Sequence, residues 1–302
     1  MNKIDHSHHQ IPVTAVLLLV MMSFVWGGNM VSIKLSSQGM PPIIAATIRS
    51  VFSSLLLWLY AGVTRRGVFL DRQDLKNGAV IGVLFGTEFL LLYWGATLTD
   101  VSRAVVFLYT QPLWAAIGAH FLLANDRLSM VKSLGLFSAF AGLILVFGSK
   151  SPELGSLYWV GDLMETIAGL LWAATTIYIK KFMWNRPITH FQTLFAQLFF
   201  SIPILAAGAL IFEWGRAIHV DSIVAAALFY QTVVIAFLSY LLWFWMVHRF
   251  QVSILSAFTF LTPLFGVILS GVLLGEPLPV LLWVGLSLVA VGLYLVNRPK
   301  AV

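Results

Sequence analysis

Ten apolar runs, most of them about twenty residues long, divide the chain at 11–32, 42–62, 77–97, 101–123, 131–149, 157–179, 188–212, 222–247, 252–274 and 279–297. A helix needs about that length to cross the ~30 Å hydrocarbon core of a bilayer. Turn-forming stretches punctuate the runs: "GMPP", "TRRG", "NDRLS", "SKSPELG" and "GEPLP". Backbone groups in lipid must be satisfied within their own segment, so the runs predict helices rather than barrel strands. The composition agrees. With 60% hydrophobic and 10% charged residues, the chain cannot clothe a soluble domain, which carries roughly a quarter charged residues.

Charge then orients the spans. Of the 18 Lys and Arg, five (Lys34, Arg49, Arg103, Lys150 and Arg216) fall within spans or toward the side opposite the N-terminus, and the other thirteen lie on the N-terminal side. By the positive-inside rule both termini are cytoplasmic, as expected for a multi-pass protein of the inner (plasma) membrane. The net charge of +6 follows from this bias and marks no nucleic-acid surface. There is no cysteine, hence no thiolate metal site or thiol nucleophile. "MNKIDHSHHQ" reads as a short cytoplasmic tail over residues 1–10 rather than a metal site.

The chain also repeats itself. "FVWGGNMVSIKL" (24–35) matches "LLWAATTIYIKK" (170–181) at Trp26/Trp172, Ile33/Ile179 and Lys34/Lys180. "VSRAVVFLYTQPLWAAIGAHFLL" (101–123) matches "VSILSAFTFLTPLFGVILSGVLL" (252–274) at an offset of 151, including Pro112/Pro263. One residue later, at an offset of 150, Asp126 meets Glu276, Gly135 meets Gly285, and "GLILV" meets "GLYLV". Each repeat holds five spans. Five is odd, so the second copy threads the membrane in the opposite sense. The predicted fold is an all-α membrane protein of ten transmembrane helices in two inverted five-helix repeats, 11–150 and 151–298. In transporters of this plan the substrate site lies near the midplane between the repeats.

These features resemble the EamA type of the drug/metabolite transporter superfamily. The resemblance rests on Trp26 and Trp172, "PPIIAATIRSVFSSLLL" (41–57), the fourth-span prolines, "LLGEPL" (273–278) and the Gly-rich fifth spans. In the first copy "LLANDRL" stands where the family has a Gly-Glu pair; Asp126 keeps the acid and the Gly is lost. The resemblance implies export, or sometimes uptake, of small polar metabolites such as amino acids without ATP.

Candidate site residues follow from depth and polarity. Glu88 lies about 12 residues into the third span, where an ionisable group costs at least ~2.5 kcal/mol and faces an interior or a water cavity. It is a candidate for substrate-amine binding and for proton coupling, with a purely structural hydrogen bond as the plain alternative. Its repeat mate is Ser239, so the acid is not duplicated. Trp26, Tyr109, Trp172 and Trp243, with Tyr93, Trp94 and Tyr240, suit a cavity wall that holds an ammonium over ring faces. Trp58, Trp159, Trp184, Trp214 and Trp283 read as interfacial anchors. Asn29 shares a helix face with Trp26, and Thr175 and Thr176 share one with Trp172. Gln111 and Thr262 directly precede the prolines, which free backbone carbonyls. Arg49 reads as structural, and Asp162 and Glu165 as a solvated helix start. Glu88 is thus the only predicted coupling residue; no metal ligands and no cofactor are expected.

The implied partners are a small-molecule substrate, the lipid bilayer and protons. A monomer suffices, because one chain carries both repeats. An embedded enzyme would need a catalytic cluster, and the seven His form none. No P-loop appears. Phosphate-ester carriage would need basic groups within the spans, which beyond Arg49 are scarce. Efflux of drugs or hydrophobic cations is the alternative within transport.

Overall fold

The computed structural model describes residues 11–148 and 156–298. The tail 1–10 and the expected junction at 150/151 lie outside them. The described residues form helices joined by short turns: α1 (Val13–Ser36), α2 (Pro42–Thr64), α3 (Leu75–Leu98), α4 (Val101–Leu108), α5 (Gln111–Leu122) and α6 (Met130–Phe147) make up the first half. The second half comprises α7 (Tyr158–Tyr178), α8 (His190–Phe212), α9 (Ser222–Phe229), α10 (Tyr240–Arg249), α11 (Val252–Phe258), α12 (Leu261–Leu274) and α13 (Leu281–Val296). Among the described residues, eight helical segments are long and apolar enough to span a bilayer, α4–α5, α9–α10 and α11–α12 each counting as one. The acid-bearing α7 and the shorter α13 complete ten spans, as the sequence predicts.

Local sequence explains the interruptions. Pro112 and Pro263 each lie just beyond a mid-span break, at 109–110 and 259–260, because proline can neither donate a hydrogen bond nor fit a continuous helix. The carbonyls near the breaks are taken up by hydroxyls: Thr110 donates to Phe107 O at 2.6 Å, and Ser23 of α1 donates to Phe258 O at 3.0 Å. Two π-helical segments, Ile179–Met183 and Tyr230–Ser239, widen the turn of the sixth and eighth spans. Such segments occur often at functional sites.

The halves join along α6 and α13. A Cβ on Gly135 would stand 2.6 Å from Gly292 O, and one on Gly292 would stand 2.5 Å from Gly135 O. Gly142 and Gly285 repeat the relation at 2.7 and 2.8 Å. Only glycine admits backbones this close. The repeat offset of 150 carries Gly135 onto Gly285 and Gly292 onto Gly142, so one contact is the image of the other. The two helices run antiparallel, and their pseudo-two-fold axis therefore crosses them rather than running along them. The halves are inverted. Elsewhere α3 packs on α7 and α8, α1 on α12, and α2 on α8. Large apolar side chains such as Phe52, Phe121, Val272 and Tyr294 remain exposed around the outside, as a lipid-facing surface requires.

Candidate functional site

A cavity of about 180 Å³ lies between the halves, walled by α1, α3, the end of α4, α7, α8, the second π segment, α10 and α12. Its wall is largely aromatic. The Trp26 ring lies 6.0 Å from Trp172, 5.3 Å from Trp243 and 6.2 Å from Tyr240, and Tyr109 stands edge-on to Trp172 at 6.1 Å. Phe85 continues the wall from Tyr240 to Phe89, and Phe89 to Tyr93. These separations are those of mutually supporting aromatic pairs. The Trp26 indole is fixed from behind: its N–H donates to Ser239 Oγ at 2.8 Å, and the Ser239 hydroxyl donates to Ile235 O at 2.6 Å.

Polar groups are few and spread over several helices. Glu88 lines the cavity with 5% exposure, and its Oε2 has no hydrogen-bond partner among the described residues. Gln197 Oε1, also on the wall, is likewise an unpaired buried acceptor. Buried acceptors without donors are costly, so both are suited to a ligand bearing N–H groups. Thr175 and Thr176 return their hydroxyls to their own helix at Leu171 O and Trp172 O. Asn29 and Thr262 complete the polar part of the wall. Behind Phe89 lies Arg49, 0% exposed, its guanidinium carbon 4.3 Å from the ring centroid. Its charge acts on Glu88, Tyr93 and Tyr240.

The cavity is not equally open at its two ends. Gln197, Ile235, Trp243 and Phe244 are 1–4% exposed, and three of them lie toward the face where the described chain begins and ends, hereafter the terminal face. Asn29, Met30, Ile33 and Leu92, farther along α1 and α3, are half-buried. On these residues the floor lies toward the terminal face and the mouth toward the opposite one, where Tyr93 and Tyr109, at 5% exposure each, narrow it.

Eight of the ten expected site residues meet on this wall: Trp26, Asn29, Glu88, Tyr109, Trp172, Thr176, Trp243 and Thr262. Two do not. Ser239 sits behind Trp26, accepting from its indole and donating to Ile235 O. Gln111 is fully buried between α5 and α11, donating to Ser256 Oγ and accepting from Thr259 Oγ1, both at 3.4 Å. Among the wider candidates, Tyr93 and Tyr240 line the cavity, whereas Trp94 is 39% exposed and stacks on Phe212 outside it. Asp162 and Glu165 are not a solvated helix start. Both are buried, Asp162 pairing with Arg103 and accepting from Thr99 Oγ1 at 2.7 Å. Gln197 went unanticipated, although a lone amide within "LFAQLFF" was its signal.

The EamA-like transporter family matches residues 13–148 and 159–298. The chain is 21% identical over 284 residues to "Uncharacterized transporter YoaV" of Bacillus subtilis, covering 94% of this chain and 96% of that one. It is 26% identical over 291 residues to "Probable amino-acid metabolite efflux pump" of Salmonella typhimurium, covering 92% and 93% respectively. A solved crystal structure superimposes with a TM-score of 0.78 at 15% identity, over 93% of this chain and 96% of the other. That likeness establishes the fold.

Proposed function

We propose that this chain, which belongs to the EamA-like transporter family, exports small polar metabolites, amino acids or related amine-bearing compounds above all, by alternating access. The terminal face, rich in Lys and Arg, is then the cytoplasmic face of the plasma membrane. The observation that carries the reading is Glu88. It is an unpaired carboxylate on an aromatic wall at mid-span, between two inverted repeats. A primary ammonium satisfies such a wall twice, by charge on Glu88 and by contact with ring faces. Trp26, Trp172 and Trp243 supply those faces, with Tyr109 beside Trp172. Asn29, Thr176 and Thr262 supply polar contacts, and Gln197 joins them. Ser239 and Gln111 hold the wall from behind.

Glu88 is also the proton-coupling group in this reading. A proton and a substrate ammonium compete for the same carboxylate, so the binding of one displaces the other. That competition suffices to exchange inward protons for outward substrate without a cofactor, a metal or catalysis. Two inverted repeats in one chain allow a monomer to complete the cycle.

The size of the cavity favours metabolites over drugs. At about 180 Å³ it is smaller than the ~300–1,000 Å³ of pockets for drug-sized ligands. The relative named as an amino-acid metabolite efflux pump supports the same choice. The density of aromatic rings favours the second reading, efflux of hydrophobic cations. Flux from proteoliposomes across a panel of amino acids, with and without a proton gradient, separates the two. Efflux of lipophilic cations with no amino-acid flux overturns the first reading.

A further inference from the structure

The cavity's two ends are fastened differently, although the repeats supply an acid and a serine to both; Lys132 and Gln251, which join the terminal fastening, fall on Leu282 and Asp100 in the other copy. On the terminal face the turn between α5 and α6 reaches across to the second repeat. Asp126, whose side chain is 4% exposed, accepts the Ser253 backbone N–H at 2.8 Å through Oδ2 and the Ser253 hydroxyl through Oδ1. Lys132 Nζ joins the cluster, 3.4 Å from Asp126 Oδ1, 3.2 Å from Ser253 Oγ and 2.9 Å from Gln251 Oε1. Gln251 closes it by donating to Asn125 O at 2.7 Å. Beneath the cluster α5 and α11 are packed together.

The repeat alignment states where the image of this fastening belongs. Asp126 corresponds to Glu276, and Ser253 to Ser102. On the opposite face that image is not made. The Ser102 N–H is held at 2.8 Å by Asp100 of its own segment. Glu276 stands 40% exposed and pairs with Lys34 of α1. α4 and α12, the images of α11 and α5, make no comparable packing among the described residues. The closed end and the fastened end coincide.

We infer that Asp126–Ser253 is the lock of the terminal side, and that Glu276 takes Ser102 as the opposite lock when the cavity opens to the terminal side. The inference rests on the alternating-access reading and adds the residues that set which side is shut. A buried carboxylate holding a backbone N–H and a hydroxyl is a strong, directional fastening. It is lost at once when the two helix ends separate. Lys34 and Asp100 are the resting partners that Glu276 and Ser102 give up on closure.

The chain contains no cysteine, so introduced thiols report without background. In the full chain in proteoliposomes, Ser102→Cys with Glu276→Cys is treated with an oxidant and cross-linking is followed by gel mobility. The pair is expected to cross-link slowly, and several-fold faster once Asp126→Asn is added. Asp126→Cys with Ser253→Cys is expected to cross-link promptly. A Ser102/Glu276 pair that stays uncross-linked while the Asp126/Ser253 pair reacts overturns the inference, as does a rate indifferent to Asp126→Asn. Should Asp126→Asn fail to fold, Glu276→Gln replaces it, with Ile33→Cys at the mouth as the reporter. Labelling of Ile33→Cys by an impermeant maleimide from the mouth side is expected to rise about two-fold or more, and no change overturns the inference. Neither readout needs substrate, so failure here leaves the export reading intact. Cross-linking as expected without amino-acid flux overturns that reading instead.

Discussion

The indole N–H of Trp26, on the first helix of one repeat, donates to the hydroxyl of Ser239, at the end of a π segment in the other, at 2.8 Å. That bond sets the angle of the ring around which Trp172, Tyr240 and Trp243 gather. Ser239→Ala leaves a buried indole donor unpaired, at a cost of about 1–3 kcal/mol. We expect a KM for efflux raised about five-fold or more with little change in protein yield. An unchanged KM in proteoliposome flux refutes a positioning role for Ser239.

Glu88→Gln keeps the shape of the side chain and removes its charge. Efflux driven by a proton gradient is expected to fall at least ten-fold, and residual substrate exchange to lose its dependence on pH. Counterflow measured between pH 5.5 and 8.5 checks this. A retained pH profile assigns the proton to another group.

Arg49 is the cation that faces Glu88 from α2, stacked on Phe89. Arg49→Met removes from a fully buried position the charge that acts on the Glu88 carboxyl, and with it the contact on the Phe89 ring. A fall in detergent melting temperature is expected. Adding Glu88→Gln to Arg49→Met recovers part of the loss, because the two charges answer one another. Strict additivity in the double variant rules out that coupling.

Gly292→Ala drives a methyl group to 2.5 Å from Gly135 O and is expected to cost about 1–3 kcal/mol by overpacking. Gly62→Ala, where nothing stands within 4 Å of the added Cβ, is the matched control and leaves stability unchanged or slightly raised. Thermal unfolding of the two in one detergent compares them directly. Equal melting temperatures contradict the close seam.

The ten spans are legible because lipid imposes length and apolarity on every crossing helix, and Pro112 and Pro263 announce the breaks beside them. The π segments leave no such mark: "YQTVVIAFLS" is ordinary apolar helix in composition, and its widened turn is imposed by packing. Repeat arithmetic gives the depth of a residue but not its direction around the helix axis. Ser239 and Gln111 were therefore found at the right level but behind the wall. Asp162 and Glu165 lie near a helix end in sequence, where solvation is the default. Their burial is created by Arg103, Thr99 and neighbours that no local pattern reveals.

Two spans, 101–122 and 252–274, are each a pair of short rods joined at mid-depth. A continuous helix would have to tilt as one piece, so that widening at one end narrowed the other and dragged the glycine seam with it. A jointed one can swing its outer rod while its inner rod stays put. In an alternating-access cycle each mouth would then have its own hinge, with α6 and α13 as the mast against which either hinge works.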